Sequence, residues 1–153
     1  AEMAKNQEVE LTAEIPPDLP PVRVDERYLE RVLVNLISNA LEATPAGGRI
    51  AITAQPANLA DGRPAVELTV ADTGCGIAPA DLQNLFEKFF RRGNHQRGYR
   101  AGGTGLGLYI CKTIMEAMGG EIRAESQVGQ GTRMHLILPV VQTMAESARE
   151  QGA

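Results

Sequence analysis

A run of glycines that leads directly into a helical pattern is the feature that most constrains this chain. Residues 102–108 read Gly-Gly-Thr-Gly-Leu-Gly-Leu, and an apolar helical periodicity continues to about residue 118. Backbone without side chains at a helix N-terminus offers several N–H groups to phosphate oxygens. The glycines follow a G-x-G-x-G spacing, which differs from the G-x-G-x-x-G of dinucleotide folds, and no Gly-Lys-Ser/Thr completes a P-loop. The run therefore predicts a nucleotide site of a third kind.

The length and composition of the chain predict one globular domain. Its 153 residues, 43% of them hydrophobic and 22% charged, suffice to bury a sizeable core. No apolar stretch approaches the roughly 20 residues of a membrane span, and the N-terminus lacks the apolar core of a signal peptide. We therefore expect a cytoplasmic domain that makes no membrane contact. Cys75 and Cys111 lie far apart without metal-ligand spacing, which favours free thiols over a disulfide or a sensor role.

The charge of the chain is unevenly distributed. A formal net charge of −4 argues against general nucleic-acid binding. The segment from Lys88 to Leu108 nevertheless contains no acidic residue and five basic ones, namely Lys88, Arg91, Arg92, Arg97 and Arg100. A basic segment on an acidic protein suggests a small anionic ligand. A solvated loop with incidental charge explains the same feature.

Hydrophobic periodicity predicts a mixture of strands and helices. Alternating apolar residues predict strands at 9–14, about 49–55, about 65–71, about 121–127 and about 132–139. Apolar residues every three or four positions predict a long helix after the N-cap Asp25 and another at about 105–118. Pro79 begins a short predicted helix that carries Leu82, Leu85, Phe86, Phe89 and Phe90. Because strands and helices do not alternate strictly, the pattern predicts an α+β two-layer sandwich, with helices on one face of a mixed sheet.

Two asparagines lie on one side of the first long helix. Asn35 and Asn39 are four residues apart, at the border of its apolar stripe. A neutral amide oxygen beside a phosphate can complete the all-oxygen shell of Mg²⁺. On these residues alone, a pair of solvated surface amides remains the simpler alternative.

An aspartate followed by glycines ends the third predicted strand. Asp72 closes the strand, and Gly74 and Gly76 come directly after it. A carboxylate at a strand end can accept a hydrogen bond from the exocyclic amine of adenine, and glycines let the backbone approach the ring without a Cβ in the way. An ordinary Asp-Gly turn explains the same residues.

The order of these motifs closely resembles the catalytic, ATP-binding domain of bacterial sensor histidine kinases. An Asn-x-x-x-Asn helix, an Asp-x-Gly-x-Gly strand exit, a Phe-rich helix, a basic loop, the G-x-G-x-G helix start and a Gly-x-Gly-Thr turn follow one another over about residues 9–139. That domain belongs to the superfamily shared by type II topoisomerases, a heat-shock chaperone and mismatch-repair ATPases, and the resemblance implies its Bergerat-type fold. Residues 1–8 would then be the remnant of a linker or dimerisation helix, and 140–153 a tail with a helical pattern.

The resemblance implies a role for each matching position. Asn39 would bind Mg²⁺, Asp72 would bind the adenine amine, and Thr132 would approach adenine through water. Residues 91–103 would form the ATP lid. The catalytic positions implied are Asn35, Asn39 and Arg91. The positions implied to bind ATP are Asn35, Asn39, Asp72, Gly74, Gly76, Ile77, Phe86, Arg91, Gly103, Thr104, Gly105, Leu106, Gly107, Leu108 and Thr132. Glu42 departs from the many relatives that have Lys or Arg there, so a phosphate contact from that position is open.

The residue four positions before the metal-binding asparagine favours kinase activity over hydrolysis. ATP-hydrolysing relatives usually have a glutamate there, which activates water, whereas this chain has Asn35. An amide cannot act as a general base at neutral pH. We therefore expect the γ-phosphoryl of ATP to pass to a separate acceptor. A serine kinase that antagonises a sigma factor and a non-catalytic nucleotide-binding switch are the alternatives.

The phosphoacceptor is expected outside this chain. Histidine kinases phosphorylate a histidine on a helical hairpin, typically followed by an acidic residue. His95 lies in the predicted lid and His135 in a predicted strand, so neither fits that description. The resemblance therefore implies a separate phosphoacceptor and dimerisation domain, a downstream response regulator, and a homodimeric parent kinase.

Overall fold

A five-stranded sheet forms the centre of the computed structural model, which describes residues 8–87 and 107–141. The strands are β1 (Glu10–Glu14), β2 (Arg49–Asn58), β3 (Pro64–Asp72), β4 (Glu121–Gln127) and β5 (Gly131–Pro139). The helices are α1 (Glu26–Ala43), α2 (Pro79–Leu82) and α3 (Gly107–Ala117). The apolar sides of α1 and α3 share one core with one face of the sheet, which confirms the predicted α+β two-layer sandwich.

The sheet order, β1-β2-β3-β5-β4, follows from how the strands are connected. β1 and β2 are parallel because α1 connects them, and a parallel pair needs such a crossover. β2 and β3 form an antiparallel hairpin, and β5 pairs antiparallel with both β3 and β4. The last residue of β3 therefore meets the start of β5, with Asp72 and Thr132 as Cα partners.

α1 has a capped start and one buried stripe, as its sequence predicts. The Asp25 carboxylate accepts a hydrogen bond from the N–H of Arg27 at 3.0 Å, which satisfies a donor at the helix N-terminus. Val32, Leu36 and Ala40 recur at helical spacing and are buried in the main core. Burying one large apolar side chain contributes about 1.5–3 kcal/mol. Within the described ranges, no helix has the length and apolarity needed to cross a bilayer.

β2 continues beyond its predicted end, through Pro56 to Asn58. A proline has no N–H for a strand ladder and is tolerated where one side of the strand is unpaired. β1 pairs with β2 only as far as Thr53, so Pro56 lies where β3 is the only neighbouring strand in the described sheet. The hairpin pairing therefore persists to Asn58, opposite Pro64.

α2 is shorter than predicted, and its predicted extension to Phe90 is wrong as far as the described residues reach. The helix ends at Leu82, and hydrogen bonds spanning three residues form turns from there to Glu87. The side chain of Asn84 donates to the Ala80 carbonyl oxygen at 3.4 Å, a local bond that competes with helical backbone pairing.

The apolar residues after α2 still contact the core. Leu85 is buried, and Phe86 is half-buried against the main core. Phe89 and Phe90 lie outside the described residues, as do the predicted first residues of the second long helix and the tail after Val141.

Gly131 allows β3 and β5 to approach closely. A Cβ at this position would overlap the Asp72 carbonyl oxygen, and its φ is +112°. In the same turn Gly129 has a φ of +81°, but a Cβ there would meet nothing within 4 Å. Gly131 is therefore required by both space and conformation, whereas Gly129 is required by conformation only.

Gly131→Ala is expected to lower stability more than Gly129→Ala. The matched variant Gly129→Ala should reduce the free energy of unfolding by about 1–2 kcal/mol, the cost of a left-handed conformation for a residue with a Cβ. Gly131→Ala adds a steric overlap with β3 and should reduce it by about 2–5 kcal/mol. Urea unfolding followed by circular dichroism measures both values, and equal losses would contradict this account.

Cys111 of α3 is fully buried against α1. Its Sγ donates to the Val32 carbonyl oxygen at 3.8 Å. Burial raises the pKa of the Cys111 thiol to about 11, although a hydrogen bond with Asn35 and the charge of Arg31 act in the opposite direction. Cys75 is half-buried, and both thiols are free, as predicted.

The raised pKa predicts a loss of stability in alkaline solution. An unfolded cysteine ionises near pH 9.0, whereas folded Cys111 keeps its proton to about pH 11. The contribution of this thiol is therefore fully present below pH 9 and is lost towards pH 11, at up to ~1.4 kcal/mol per pH unit. Cys111→Ala, which cannot ionise, should be less stable at neutral pH but should show a shallower alkaline decline. Urea unfolding of both proteins from pH 8 to 11 compares the slopes, and parallel curves would refute the prediction.

Candidate functional site

Four predicted site residues, from four elements, line one narrow pocket between the helices and the sheet. Asn39 comes from α1, Asp72 from β3, Leu108 from α3 and Thr132 from β5. The rest of the lining is apolar and consists of Leu36, Ala40, Val70 and Met134. The pocket holds about 10 Å³, roughly the room for one water molecule. These residues therefore form the innermost end of a candidate site.

The Asp72 carboxylate is oriented by the backbone that follows it. Its Oδ1 accepts a hydrogen bond from the N–H of Gly74 at 2.9 Å, which is the Asp-Gly turn that the sequence also suggested. In register, Asp72 lies between Ile50 of β2 and Thr132 of β5. The turn and the binding interpretation are compatible, because the turn orients a carboxylate that lines the pocket.

Gly74 and Gly76 are required by backbone packing. A Cβ on Gly74 would lie 2.5 Å from the Ala43 carbonyl oxygen at the end of α1, and a Cβ on Gly76 would overlap the Gln127 carbonyl oxygen. Ile77, next along the chain, is buried. Neither glycine lines the narrow pocket in the described part of the chain. Their contact with a nucleotide stays a prediction.

Sequence reasoning missed Ser126 of β4, which supports the pocket from behind. Its hydroxyl oxygen lies 2.8 Å from Thr132 Oγ1 and 2.9 Å from the Gly131 carbonyl oxygen. The same oxygen accepts a hydrogen bond from the N–H of Ile77 at 2.7 Å. The available signal was a hydroxyl at a position of β4 that faces the helices, where the alternate residues of that strand are apolar.

Asn35 and Asn39 have different neighbours, although they lie one turn apart on α1. Asn39 lines the pocket with Asp72. Asn35 lies close enough to the Cys111 thiol to lower its pKa, and it is not among the residues that line that pocket. The structure thus places Asn39 in the pocket and Asn35 at the α1–α3 contact, and the role of each towards a ligand stays a prediction.

The remaining predicted site residues lie at the edge of the described ranges or beyond them. Gly107 is the first residue of α3, and a Cβ there would meet nothing within 4 Å. Phe86 borders the core, and Glu42 is half-buried on α1. Those outside the described residues are Arg91, Gly103, Thr104, Gly105 and Leu106, together with the whole of the predicted lid.

His135 lies on the face of the sheet opposite α1 and α3, away from the pocket. Side chains alternate along β5, so its neighbours Met134 and Thr132 face the helices while His135 faces the other way. Its Nδ1 lies 3.0 Å from Thr69 Oγ1, and its Nε2 lies 2.5 Å from Glu125 Oε1. Both ring nitrogens are therefore engaged, and the expectation that His135 is not the phosphoacceptor stays a prediction. His95 lies outside the described residues.

A wider concavity of about 670 Å³ lies on the face of the sheet that carries His135. Ala51 and Ala71 lie side by side within it as Cα partners, and charged residues such as Arg49 and Arg133 also line it. It reaches Asp72 and Thr132 but includes no residue of α1 or α3. Ligand pockets combine an apolar lining with a few converging polar groups. That combination occurs on the helix side, which we therefore take as the candidate site despite its smaller volume.

Residues 24–142 match the family described as histidine kinase-, DNA gyrase B-, and HSP90-like ATPase. The chain is 41% identical over 133 residues to the histidine protein kinase DivJ of Caulobacter vibrioides, covering 87% of this chain and 21% of that protein. It is 36% identical over 138 residues to the sensor histidine kinase WalK of Bacillus subtilis, covering 90% of this chain and 22% of that protein. The chain thus spans about a fifth of the length of these two curated relatives.

Solved structures of histidine kinases share the fold. The catalytic domain of histidine kinase ThkA superimposes with a TM-score of 0.73 at 28% identity, covering 92% of this chain and 86% of that one. Full-length ShkA in complex with AMPPNP gives a TM-score of 0.72 at 28% identity, covering 93% of this chain and 28% of that one. The order of motifs, the architecture and the family match agree, and this chain belongs to the histidine kinase-, DNA gyrase B- and HSP90-like ATPase family.

Proposed function

We propose that this chain is the catalytic domain of a two-component sensor histidine kinase. It binds Mg-ATP and transfers the γ-phosphoryl to a histidine on a separate phosphoacceptor and dimerisation domain. The observation that carries this proposal is the convergence of Asn39, Asp72 and Thr132 on one pocket, in a chain whose relatives are histidine kinases. The parent kinase is a homodimer with this domain in the cytoplasm, and its phosphoryl group passes on to a response regulator.

The pocket residues suit a flat base with an exocyclic amine. Val70 and Met134 of the sheet and Leu36 of α1 supply apolar surface, and Asp72 supplies a charged acceptor. A buried acceptor discriminates between purines because an amine donates to it, whereas a carbonyl does not. Adenine has an amine at C6, where guanine has a carbonyl, so the pocket favours ATP over GTP.

Asn39 suits a metal ion that arrives with the phosphates. In residues 8–87 and 107–141, no three His, Cys, Asp or Glu side chains group together as a metal site. One amide oxygen is enough for Mg²⁺ when phosphate oxygens and waters complete its shell. When bound, Mg²⁺ neutralises phosphate charge. Gly107, the first described residue of α3, lies next to Leu108 of the pocket, and N–H groups near the start of a helix can bind phosphate oxygens.

Asn35 leaves α1 without a general base at the position where hydrolases need one. Its amide cannot accept a proton at neutral pH. Hydrolysis should therefore be slow, so that the γ-phosphoryl is kept for the docked histidine. This domain contributes position and charge stabilisation, and the acceptor domain contributes the imidazole nitrogen that attacks.

Asp72→Asn should weaken ATP binding with little effect on folding. The asparagine oxygen can still accept the N–H of Gly74, but its amide group presents donors to the amine of adenine. Losing a charged acceptor should raise the Kd for Mg-ATP by about tenfold to a hundredfold. Isothermal titration calorimetry measures the affinity, and thermal unfolding checks the fold.

Asp61→Asn is the matched control for this substitution. The Asp61 carboxylate also accepts a hydrogen bond from a backbone N–H two residues on, that of Arg63, at 3.1 Å. It does so in the β2–β3 hairpin and does not line the pocket. Its replacement should leave the Kd unchanged. Equal losses of affinity in both variants, or none in Asp72→Asn, would contradict the assignment of Asp72 to the base.

Phosphotransfer can be tested with the phosphoacceptor hairpin of a related histidine kinase, supplied as a separate protein. With ATP labelled in its γ-phosphate, the hairpin should acquire label that is labile in acid and stable in base, as phosphohistidine is. Asn39→Ala should reduce the initial rate about tenfold or more because Mg-ATP is held less well. Ser38→Ala, on the same turn of α1 but absent from the pocket lining, should transfer at the parent rate.

Each other outcome points to a different function. Label that is stable in acid and labile in base indicates a serine kinase. Rapid phosphate release without any acceptor indicates an ATPase. ATP binding with neither transfer nor release, when several hairpins are supplied, indicates a nucleotide-binding switch.

A further inference from the structure

Thr132 and Ser126 are hydrogen-bonded to each other behind the pocket. The two residues are Cα partners across β4 and β5, and their hydroxyl oxygens lie 2.8 Å apart. Thr132 is only 6% exposed and lines the pocket beside Asp72. Ser126 has two further close partners, the N–H of Ile77 at 2.7 Å and the carbonyl oxygen of Gly131 at 2.9 Å.

These contacts are all satisfied by a single arrangement of protons. The N–H of Ile77 can only donate, so Ser126 accepts it, and the carbonyl of Gly131 can only accept, so Ser126 donates to it. Ser126 has then used its one proton, and the contact with Thr132 requires that Thr132 donates. If Ser126 donated to Thr132 instead, two oxygens 2.9 Å apart, those of Ser126 and Gly131, would face each other with no proton between them.

We propose that Ser126 is a positioning residue for recognition of the base. Because Ser126 accepts the hydrogen bond that the Thr132 hydroxyl donates, Thr132 has only acceptor sites left for the pocket. Asp72 is an acceptor as well, so the pocket presents two acceptors and favours an amine, or a water that donates, over a carbonyl. This inference rests on the proposed function, because it takes the pocket as the inner end of the site where the base of ATP binds.

Ser126 also has a structural role, which a test must separate from its effect on Thr132. Removing its hydroxyl leaves the N–H of the buried residue Ile77 without this acceptor, which lowers stability. A purely structural effect weakens the binding of every nucleotide to the same degree. If the Thr132 hydroxyl changes from acceptor to donor, the affinities of two nucleotides change by different factors when the nucleotides differ only in the group that faces Thr132. The ratio of their Kd values then changes.

Inosine triphosphate is the matched probe, because its base has a carbonyl and an N–H where adenine has an amine and an unprotonated nitrogen. The ratio of Kd values for ITP and ATP should be well above one in the parent protein. In Ser126→Ala the proton of Thr132 is free to turn towards a carbonyl. The ratio should therefore fall about tenfold, because an unfavourable contact between two acceptors becomes one hydrogen bond.

A double-mutant cycle tests whether Ser126 acts through Thr132. Thr132→Val should also lower the ratio, and adding Ser126→Ala to it should lower the ratio no further. Ser126→Thr retains a hydroxyl and should keep the parent ratio. Thr69→Val removes a hydroxyl that contacts His135 on the face of the sheet opposite α1 and α3, and it should also keep the parent ratio.

The outcomes distinguish this inference from the proposed function. If Ser126→Ala weakens ATP and ITP equally, or if it lowers the ratio further in the Thr132→Val background, the inference is overturned while the proposed function stands. Should Ser126→Ala not fold, Thr132→Val decides, since an unchanged ratio there overturns the inference. Failure of the parent protein to bind Mg-ATP would overturn the proposed function itself.

Discussion

The segment that follows β3 is clamped between two backbone surfaces, and the geometry of the pocket depends on that clamp. The N–H of Cys75 donates to the Ala43 carbonyl at 3.1 Å, and the Cys75 carbonyl accepts from the N–H of Gly129 at 2.9 Å. Side chains at Gly74 and Gly76 would prevent both approaches. The segment thus joins the end of α1 to the β4–β5 turn through paired backbone groups, which are costly to leave unsatisfied when buried. Asp72, immediately before it, is kept beside Thr132 as a result.

This clamp gives the glycines a role that composition alone does not indicate. Glycines near a binding site are usually read as room for a ligand. Here Gly74 makes room for the end of α1, Gly76 makes room for β4, and Gly131 makes room for β3. Close backbone packing and ligand access are therefore separate demands, and in the described residues packing explains all three. The nucleotide is expected to benefit indirectly, through the orientation of the Asp72 carboxylate.

Much of the architecture could be predicted because its signals are local and repeated. Apolar residues recur at helical spacing along the 18 residues of α1, and the β2–β3 hairpin is marked by a turn at Gly62. Where a single contact determines the end of an element, the hydrophobic pattern does not predict that end. α2 stops early where the Asn84 side chain bonds back to the chain, and β2 passes Pro56 because β1 has already ended. Neither cause appears in a window of hydrophobicity, since each depends on which groups happen to be neighbours in space.

The candidate site shows the same division. Asp72 and Thr132 could be selected because they belong to motifs of fixed spacing, and the sheet register then brings them together as partners. Ser126 belongs to no such motif, and its contact with Thr132 exists only because a tight turn aligns β4 with β5. That turn contains Gly129, so the register of the hairpin, and with it the Ser126–Thr132 pair, could have been inferred from turn geometry. The surroundings of Asn35 are harder to predict from the sequence, because its neighbour Cys111 lies on another helix.

The distribution of polar groups bears directly on the choice between transfer and hydrolysis. Among the described residues that line the pocket, Asp72 is the carboxylate, and its Oδ1 is engaged with Gly74 at the end assigned to the base. On α1, Asn39 in the pocket lining and Asn35 one turn earlier carry amides, which can bind a metal ion or donate to phosphate oxygens but take no proton. Under the proposed function, this arrangement separates recognition from chemistry. The base is selected by fixed acceptors, whereas neither amide can act as a general base for water, so the γ-phosphoryl is kept until an imidazole of the docking domain attacks it.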